Sequence, residues 1–168
     1  MVKQMGLELL QINLQHSKAG STELARRVRK KEAYVALIQE PWPHKGQVRG
    51  LGKKGLYAPE CGRGQAPRAC ILASPGISIW PLPALSHRDC MAVEATLGAR
   101  KVLLASLYMP GDKAVPEACI RRLVDHAAST GHGLLIGCDA NAHHSYWGST
   151  DTNDRGEQLL EVVMGTGL

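Results

Sequence analysis

Four short apolar runs, each ending in or followed by polar residues, constrain most strongly what this chain can fold into. Runs of this length, bounded by turn-forming residues, are typical of buried strands and are too short to cross a membrane as helices. Two segments have helical spacing: 116–129 lies between the third and fourth runs, and 155–164 lies after the fourth. The pattern predicts an α/β fold with packed sheets rather than a strictly alternating nucleotide-binding fold. The four runs are LELLQINL at 7–14, YVALIQ at 34–39, VLLASLY at 102–108 and LLIGC at 134–138.

Two further segments carry specific local predictions. The sequence predicts a helix over Ser21–Glu32, with Ser21 as its N-cap and basic side chains around most of its surface. It also predicts a hairpin in which Ala69–Ala73 pairs with Ile77–Trp80 across a Ser-Pro-Gly turn. The 168 residues contain no internal repeat and no low-complexity linker, so we expect one domain.

Charge is distributed unevenly along the chain. Residues 1–84 carry 13 Lys or Arg and 5 Asp or Glu, whereas residues 85–168 carry 7 and 10, and the net charge is +5. A basic half beside an acidic half is expected of a protein that binds a polyanion near clustered carboxylates. An unevenly decorated solvated surface accounts for the same balance about equally well.

Cysteine usage argues against a zinc site or a disulfide framework. The number of cysteines is odd and no two of them form a C-x-x-C pair. We therefore expect reduced thiols and an intracellular location. The five residues are Cys61, Cys70, Cys90, Cys119 and Cys138.

Candidate site residues stand where the apolar runs end. Asn13 lies at the end of the first run, Glu40 follows the second, Tyr108 ends the third, and Asp139 and Asn141 follow the fourth. Each of these alone is most often a turn former or an exposed end residue, but four strand ends can converge on one cleft. Carboxylates and amides without a His/Cys pattern or a nucleophilic serine turn favour Mg²⁺, which takes one or two protein carboxylates together with substrate phosphate oxygens.

Six motifs, in a fixed order, extend this interpretation. They resemble the motifs of the endonuclease domain of insect non-LTR (LINE-type) retrotransposons, within the exonuclease–endonuclease–phosphatase (DNase I-like) superfamily. The resemblance implies a four-layer sandwich of two mixed β-sheets flanked by helices. It also implies phosphodiester hydrolysis that nicks target DNA for target-primed reverse transcription. The motifs are QINL at 11–14, IQEPW at 38–42, RGLG at 49–52, PRACIL at 67–72, SHRD at 86–89 and GCDANAHHSYWGS at 137–149.

The resemblance implies a role for each matching site residue. Glu40 would bind the metal, Mg²⁺ or Mn²⁺, and Asn13 would help to position the metal or its water. Asp139 would act as the general base or orient the attacking water, and Asn141 would hold the phosphate or Asp139. Tyr108 would donate a hydrogen bond to the phosphate. Such a site needs an in-line water, a cation and donors to the phosphate oxygens, rather than covalent chemistry by the protein.

The resemblance also implies the partners. Double-stranded DNA would be the substrate, a reverse transcriptase domain would belong to the same chain in a full-length element, and the location would be nuclear, with no membrane involved. Contacts to DNA are expected from the basic first half and from the loop after the Asp-x-Asn motif. These residues are Lys45, Arg49, Lys53, Lys54, Arg63, Arg68, His143 and His144.

The family's pattern continues to a Ser-Asp-His motif, which does not occur among these 168 residues. We therefore expect one domain over residues 1–168 that is incomplete at its C-terminus and holds roughly two-thirds to three-quarters of the pattern. Since the missing histidine is expected to contact the phosphate, activity stays open. The alternatives are a catalytically inactive remnant that at most binds DNA, and another phosphodiesterase of the superfamily.

Overall fold

The fold was obtained as a computed structural model, which describes residues 6–168. None of the helices within this range is long and apolar enough to span a bilayer. The elements run β1 Leu7–Asn13, α1 Lys18–Val28, β2 Ala33–Gln39, β3 Pro43–His44, β4 Gln47–Val48, β5 Leu56–Tyr57, β6 Ala69–Ala73, β7 Ser78–Pro81, β8 Cys90–Leu97, β9 Arg100–Tyr108, α2 Glu117–Thr130, β10 Gly133–Asp139 and α3 Asp154–Thr166.

The strands form two four-stranded mixed sheets and a small ribbon. The first sheet has the order β1-β2-β6-β5, the second has the order β10-β9-β8-β7, and β3 pairs with β4. In each large sheet one pair is parallel, β1 with β2 and β9 with β10, and each parallel pair is connected through a helix. The register aligns Asn13 with Gln39 and Tyr108 with Asp139, so both parallel pairs end together at their carboxyl ends.

Three apolar clusters separate four layers. Val35, Leu37 and Leu104 belong to the cluster between the two sheets. Leu24 and Val28 of α1 pack on the outer face of the first sheet. The second sheet is covered by α2 and α3 through a third cluster, which includes Ile120, Leu123, Leu159 and Val162. This order of helix, sheet, sheet and helix confirms the predicted four-layer α/β architecture.

The first helix begins earlier than the sequence predicts. Ser17 is the N-cap, and its Oγ accepts a hydrogen bond of 3.0 Å from the backbone N–H of Gly20. Ser21 is buried one turn inside the helix, where its Oγ donates to the Ser17 carbonyl at 2.9 Å. Both serines satisfy the capping preference, and packing of Leu24 and Val28 against the sheet selects the earlier one.

The predicted hairpin of β6 and β7 is wrong, although both strands exist. β6 lies between β2 and β5, so both of its hydrogen-bonding edges are occupied. β7 instead pairs with β8 in the second sheet. The turn between Ser74 and Ile77 therefore carries the chain from one sheet to the other.

Gly137 offers a test of how tightly the sheets are packed near the site. A Cβ at Gly137 would lie 2.7 Å from Leu37 Cδ1 and 3.1 Å from Gln11 Cγ, both on the opposite sheet. We expect Gly137→Ala to lower the free energy of unfolding by about 1–3 kcal/mol, measured by chemical denaturation, because the buried contact is overpacked. Gly133→Ala is the matched control on the same strand, since its Cβ would meet only Val102 at 3.9 Å. An equal loss in both variants would contradict tight packing at Gly137.

Candidate active site

The ends of the two parallel strand pairs meet at one edge of the sandwich and bring together polar residues that are far apart in sequence. The Asn13 side-chain amide donates to Glu40 Oε2 at 3.0 Å and also to Asp139 Oδ2. Because Asn13 ends β1 and Glu40 follows β2 of the first sheet, whereas Asp139 ends β10 of the second, this amide spans the sheets. The predicted convergence of the strand ends is therefore observed.

Asn13 presents its nitrogen, not its oxygen, to the two carboxylates. Its Oδ1 accepts a hydrogen bond of 2.7 Å from the backbone N–H of Gln15, which fixes the amide orientation. The amide group thus holds Glu40 and Asp139 near each other and partly offsets their mutual repulsion. This arrangement favours a positioning role for Asn13 over direct ligation of a metal.

The backbone is strained at two of the candidate residues. Glu40 has φ of +46° and Asn141 has φ of +47°, in the left-handed region that L-residues seldom occupy. Glu40 is held there by two backbone bonds, since its N–H donates to the Arg68 carbonyl and its own carbonyl accepts from the His16 N–H, both at 2.8 Å. Strain of this kind persists only where surrounding contacts fix it, and it is common at functional sites.

A buried polar network joins the sheets directly beneath the site. Gln39 is fully buried, and its amide donates to Ser106 Oγ and to the Gly137 carbonyl, each at 3.0 Å. Ser106 in turn donates to the Ile38 carbonyl at 2.8 Å. Gln11 donates to Gln39 Oε1 at 2.6 Å. This network ties β2 to β9 and β10 one residue before Glu40 and two residues before Asp139.

Tyr108 lies beside Glu40 and is supported by an ion pair. Burial, followed by the nearby Glu40 carboxylate, raises the pKa of the Tyr108 hydroxyl above its usual value, which already lies well above neutral pH. The Arg68 guanidinium lies over the Tyr108 ring, 4.9 Å from its centroid, and makes two hydrogen bonds with Asp89 at 2.6 and 2.7 Å. Arg68 is thus already paired, which favours a supporting role over the predicted contact with DNA.

Asn141 fixes the loop after β10. Its side-chain amide donates to the Met109 carbonyl at 3.0 Å, and its backbone N–H donates to Asp139 Oδ1 at 3.3 Å. Arg155, at the start of α3, donates to the Ala140 carbonyl at 2.7 Å and closes the loop from the other side. The Asp139 carboxylate is therefore held at both oxygens.

Sequence reasoning missed two contributors to this site. His16 Nε2 lies 3.4 Å from Glu40 Oε1, and its Nδ1 lies 3.2 Å from the Pro41 carbonyl. The Arg68–Asp89 pair was missed because the two residues are 21 apart in sequence. The QINL motif precedes His16 by two residues and gives the only sequence signal for it.

Five of the predicted DNA-contacting residues lie in one segment of the first half of the chain. Lys45, Lys53, Lys54 and Arg63 are exposed, and Arg49 is half-buried with a hydrogen bond of 2.8 Å to Gln47 Oε1. All of these lie between β3 and β6, on the side of the first sheet, in the segment that begins just after Glu40. They remain predicted contacts.

The two histidines of the second loop are held by the loop itself. His143 Nδ1 lies 3.0 Å from Asp151 Oδ1. His144 is largely buried, its Nδ1 accepts a hydrogen bond of 2.9 Å from the Tyr146 N–H, and its ring centroid lies 5.2 Å from that of Trp147. These contacts favour loop structure for His144 and leave only His143 exposed to a ligand.

The donor set fits a hard divalent cation. Glu40 and Asp139 supply carboxylate oxygens at a partly exposed edge, and Mg²⁺ typically takes one or two such groups while keeping several waters. No cysteine lies among these residues, and His16 is the only imidazole in contact with either carboxylate among the described residues. The site thus offers the oxygen-rich environment that Mg²⁺ or Mn²⁺ prefers.

A four-layer sandwich with paired carboxylates at the ends of its parallel strands defines a domain of the DNase I-like class. The sequence profile of the endonuclease-reverse transcriptase family matches residues 102–168. The chain is also similar to a solved structure described as the endonuclease domain of TRAS1, a telomere-specific non-LTR retrotransposon. That match has a TM-score of 0.77 and 28% sequence identity, and it covers 96% of this chain and 71% of the TRAS1 chain. No curated protein matches the chain.

The family profile over residues 102–168 and the structural match to the TRAS1 endonuclease domain support the resemblance on which the sequence motifs rest, namely to the endonuclease domains of non-LTR retrotransposons in the exonuclease–endonuclease–phosphatase superfamily. Enzymes of this superfamily generally depend on a divalent metal, which agrees with the donor set of the site.

The buried network beneath the site makes a stability prediction. We expect Gln39→Met to lower the free energy of unfolding by about 1–3 kcal/mol, because the Gly137 carbonyl loses its side-chain donor in a buried setting. Thermal and denaturant unfolding would measure the loss. Gln47→Met, at an exposed position of β4, is the control and should change stability by less than about 0.5 kcal/mol. Equal effects would mean that the network is not the contact that joins the sheets.

Proposed function

We propose that this chain hydrolyses phosphodiester bonds of double-stranded DNA with a divalent metal, Mg²⁺ or Mn²⁺, and nicks target DNA for insertion of a mobile element. The observation that carries the proposal is the cluster in which Asn13 joins the carboxylates of Glu40 and Asp139 across the two sheets. Similarity to the endonuclease-reverse transcriptase family and to the TRAS1 endonuclease domain supports the reaction class.

Asp139 is suited to orient the attacking water or accept its proton. The Asn141 backbone N–H and the Asn13 amide each hold one of its oxygens, so the carboxylate keeps one orientation. A positioned base and a prealigned water lower the barrier because little reorganisation is needed at the moment of reaction.

Tyr108 is suited to donate a hydrogen bond to a phosphate oxygen. Its hydroxyl is a protonated donor at neutral pH, and the Arg68 guanidinium, held by Asp89, packs over the ring. Glu40, with Asn13 as its positioning partner, would hold the metal. A bound divalent cation would supply positive charge opposite the charge that develops on the phosphate.

The central test is the nicking of supercoiled plasmid DNA in Mg²⁺. Asp139→Asn should reduce the nicking rate by about a hundredfold or more, because it removes a charged, prealigned group from the site. Asp125→Asn is the matched control, since Asp125 is an exposed carboxylate on α2, and it should leave the rate unchanged.

Three outcomes separate the hypotheses. Nicking that needs a divalent metal and is lost in Asp139→Asn supports the proposal. Unchanged nicking in Asp139→Asn contradicts it. DNA retention without cleavage at any metal concentration would identify a binding-only remnant, and turnover of a non-nucleic-acid phosphodiester alone would identify another phosphodiesterase of the superfamily.

The exposed basic segment between β4 and β6 is proposed to hold the DNA backbone. Replacing Lys53 and Lys54 together by Gln should weaken binding to all sequences and reduce the slope of log K against log salt by about 2, since each phosphate contact contributes roughly 0.9. Fluorescence anisotropy at several salt concentrations measures the slope. Arg121→Gln, on α2 and paired with Glu117, is the control, and a similar slope change there would argue against a localised DNA surface.

The wider setting follows from the same proposal. The domain would act with a reverse transcriptase domain of the same longer chain, and its work on chromosomal DNA would place it in the nucleus.

A further inference from the structure

A second cluster of reactive side chains lies apart from the Glu40–Asp139 site. We call it the thiol cluster, and it consists of His87, Cys90 and Cys119. His87 Nε2 lies 3.4 Å from Cys119 Sγ, and the ligand atoms of all three residues lie within 4.8 Å of one another. Cys90 begins β8 and is fully buried, whereas Cys119 lies in the first turn of α2 and is partly exposed. The cluster therefore pairs an accessible thiol with a protected one.

The turn before β8 fixes which nitrogen of His87 faces the sulfur. The backbone N–H of Asp89 donates to His87 Nδ1 at 3.3 Å, so Nδ1 acts as an acceptor. The ring proton then lies on Nε2, which points at Cys119 Sγ. A backbone bridge between His87 and Cys90, with bonds of 2.8 and 2.9 Å, holds the turn in this shape.

The surroundings of Cys119 favour its thiolate. It is the third residue of α2, where the helix presents positive charge, and Arg122 follows one turn later. A hydrogen bond from the Cys90 thiol, followed by the His87 imidazole and the Arg122 charge, lowers the pKa of Cys119 well below its usual value. The same bond, with burial, raises the pKa of Cys90, which stays protonated as the donor. Asp89, a carboxylate near His87 and Cys90, is engaged by Arg68.

A metal site would be the other interpretation of such a cluster. The three ligand atoms are close enough together to hold one zinc ion, but ligation through His87 Nε2 would require the proton to move to Nδ1, where it would meet the Asp89 N–H. Within residues 6–168, no fourth His, Cys, Asp or Glu joins the group. The hydrogen bonds therefore favour a thiolate over a metal ligand.

We propose that Cys119 is a redox-sensitive thiolate that is oxidised by a hydroperoxide and then forms a disulfide with Cys90. In the first step the Cys119 sulfur attacks one peroxide oxygen and the O–O bond breaks. With hydrogen peroxide the products are a sulfenic acid and, after protonation, water. In the second step the Cys90 sulfur attacks the sulfenic sulfur, the S–O bond breaks, and the Cys90 proton leaves with the hydroxyl as water. Two thiols are oxidised and one peroxide is reduced.

The first arm of the test measures thiolate reactivity in the whole chain. The reduced protein is treated with iodoacetamide at pH 6, and alkylation is followed at each cysteine by mass spectrometry. Cys119 should react about tenfold faster than Cys61, since its larger thiolate fraction outweighs the lower nucleophilicity of a more acidic thiol. Cys61 is the internal control because it is also partly exposed, while burial raises its pKa. His87→Gln should slow alkylation at Cys119 and leave Cys61 unchanged. Equal rates at the two cysteines in the wild-type chain would overturn the proposal.

The second arm follows oxidation. One equivalent of hydrogen peroxide should yield a linked pair of peptides that contain Cys90 and Cys119, and dithiothreitol should reverse the link. In Cys90→Ser the sulfenic acid should persist at Cys119 and react with dimedone. Oxidation of Cys119 in the wild-type chain without a link to Cys90 would overturn the disulfide step. Stoichiometric zinc in the purified protein that blocks alkylation of Cys119 would overturn the proposal in favour of a metal site.

Discussion

The buried amide of Gln39 is the contact on which the rest of the site depends. It donates to a hydroxyl and a carbonyl of the opposite sheet, and it accepts from Gln11 of the neighbouring strand. A sheet interface filled only by aliphatic side chains would tolerate small sliding movements, since apolar contacts have little directional preference. Buried hydrogen bonds are directional and do not tolerate such movements, because any shift leaves a polar group without a partner. The network therefore fixes the relative position of β2 and β10, and with it the distance between Glu40 and Asp139.

Two carboxylates held near each other create a local excess of negative charge. Asn13 reduces this cost by donating to both, and His16 approaches Glu40 from the other side. A site that is only partly compensated by its own residues is prepared for a cation. The site geometry is imposed in the backbone as well. Glu40 and Asn141 have left-handed backbone, and the surrounding hydrogen bonds hold them in a conformation that they would not adopt alone.

The turn over residues 86–90 serves both regions of interest. Through its side chain, Asp89 fixes Arg68 against the Tyr108 ring of the candidate site. Through its backbone, the same residue orients His87 toward Cys119. A change in the thiol cluster would thus act on a segment that also supports Tyr108. The turn is short, and the backbone bridge between His87 and Cys90 makes it rigid.

The sequence by itself determined the longer strands, the polar residues at their ends and the resemblance to retrotransposon endonuclease domains. These properties depend on local patterns: short apolar runs bounded by turns, and motifs whose residues stand next to one another. It did not determine that β6 and β7 lie in different sheets, since either partner strand satisfies the same local pattern. Nor did it reveal the contact between Asn13 and Asp139, which are 126 residues apart, or the thiol cluster, in which His87 and Cys119 are 32 residues apart. Only the tertiary structure decided these features, because they depend on which sheet edges are free and on how two sheets and a helix pack together.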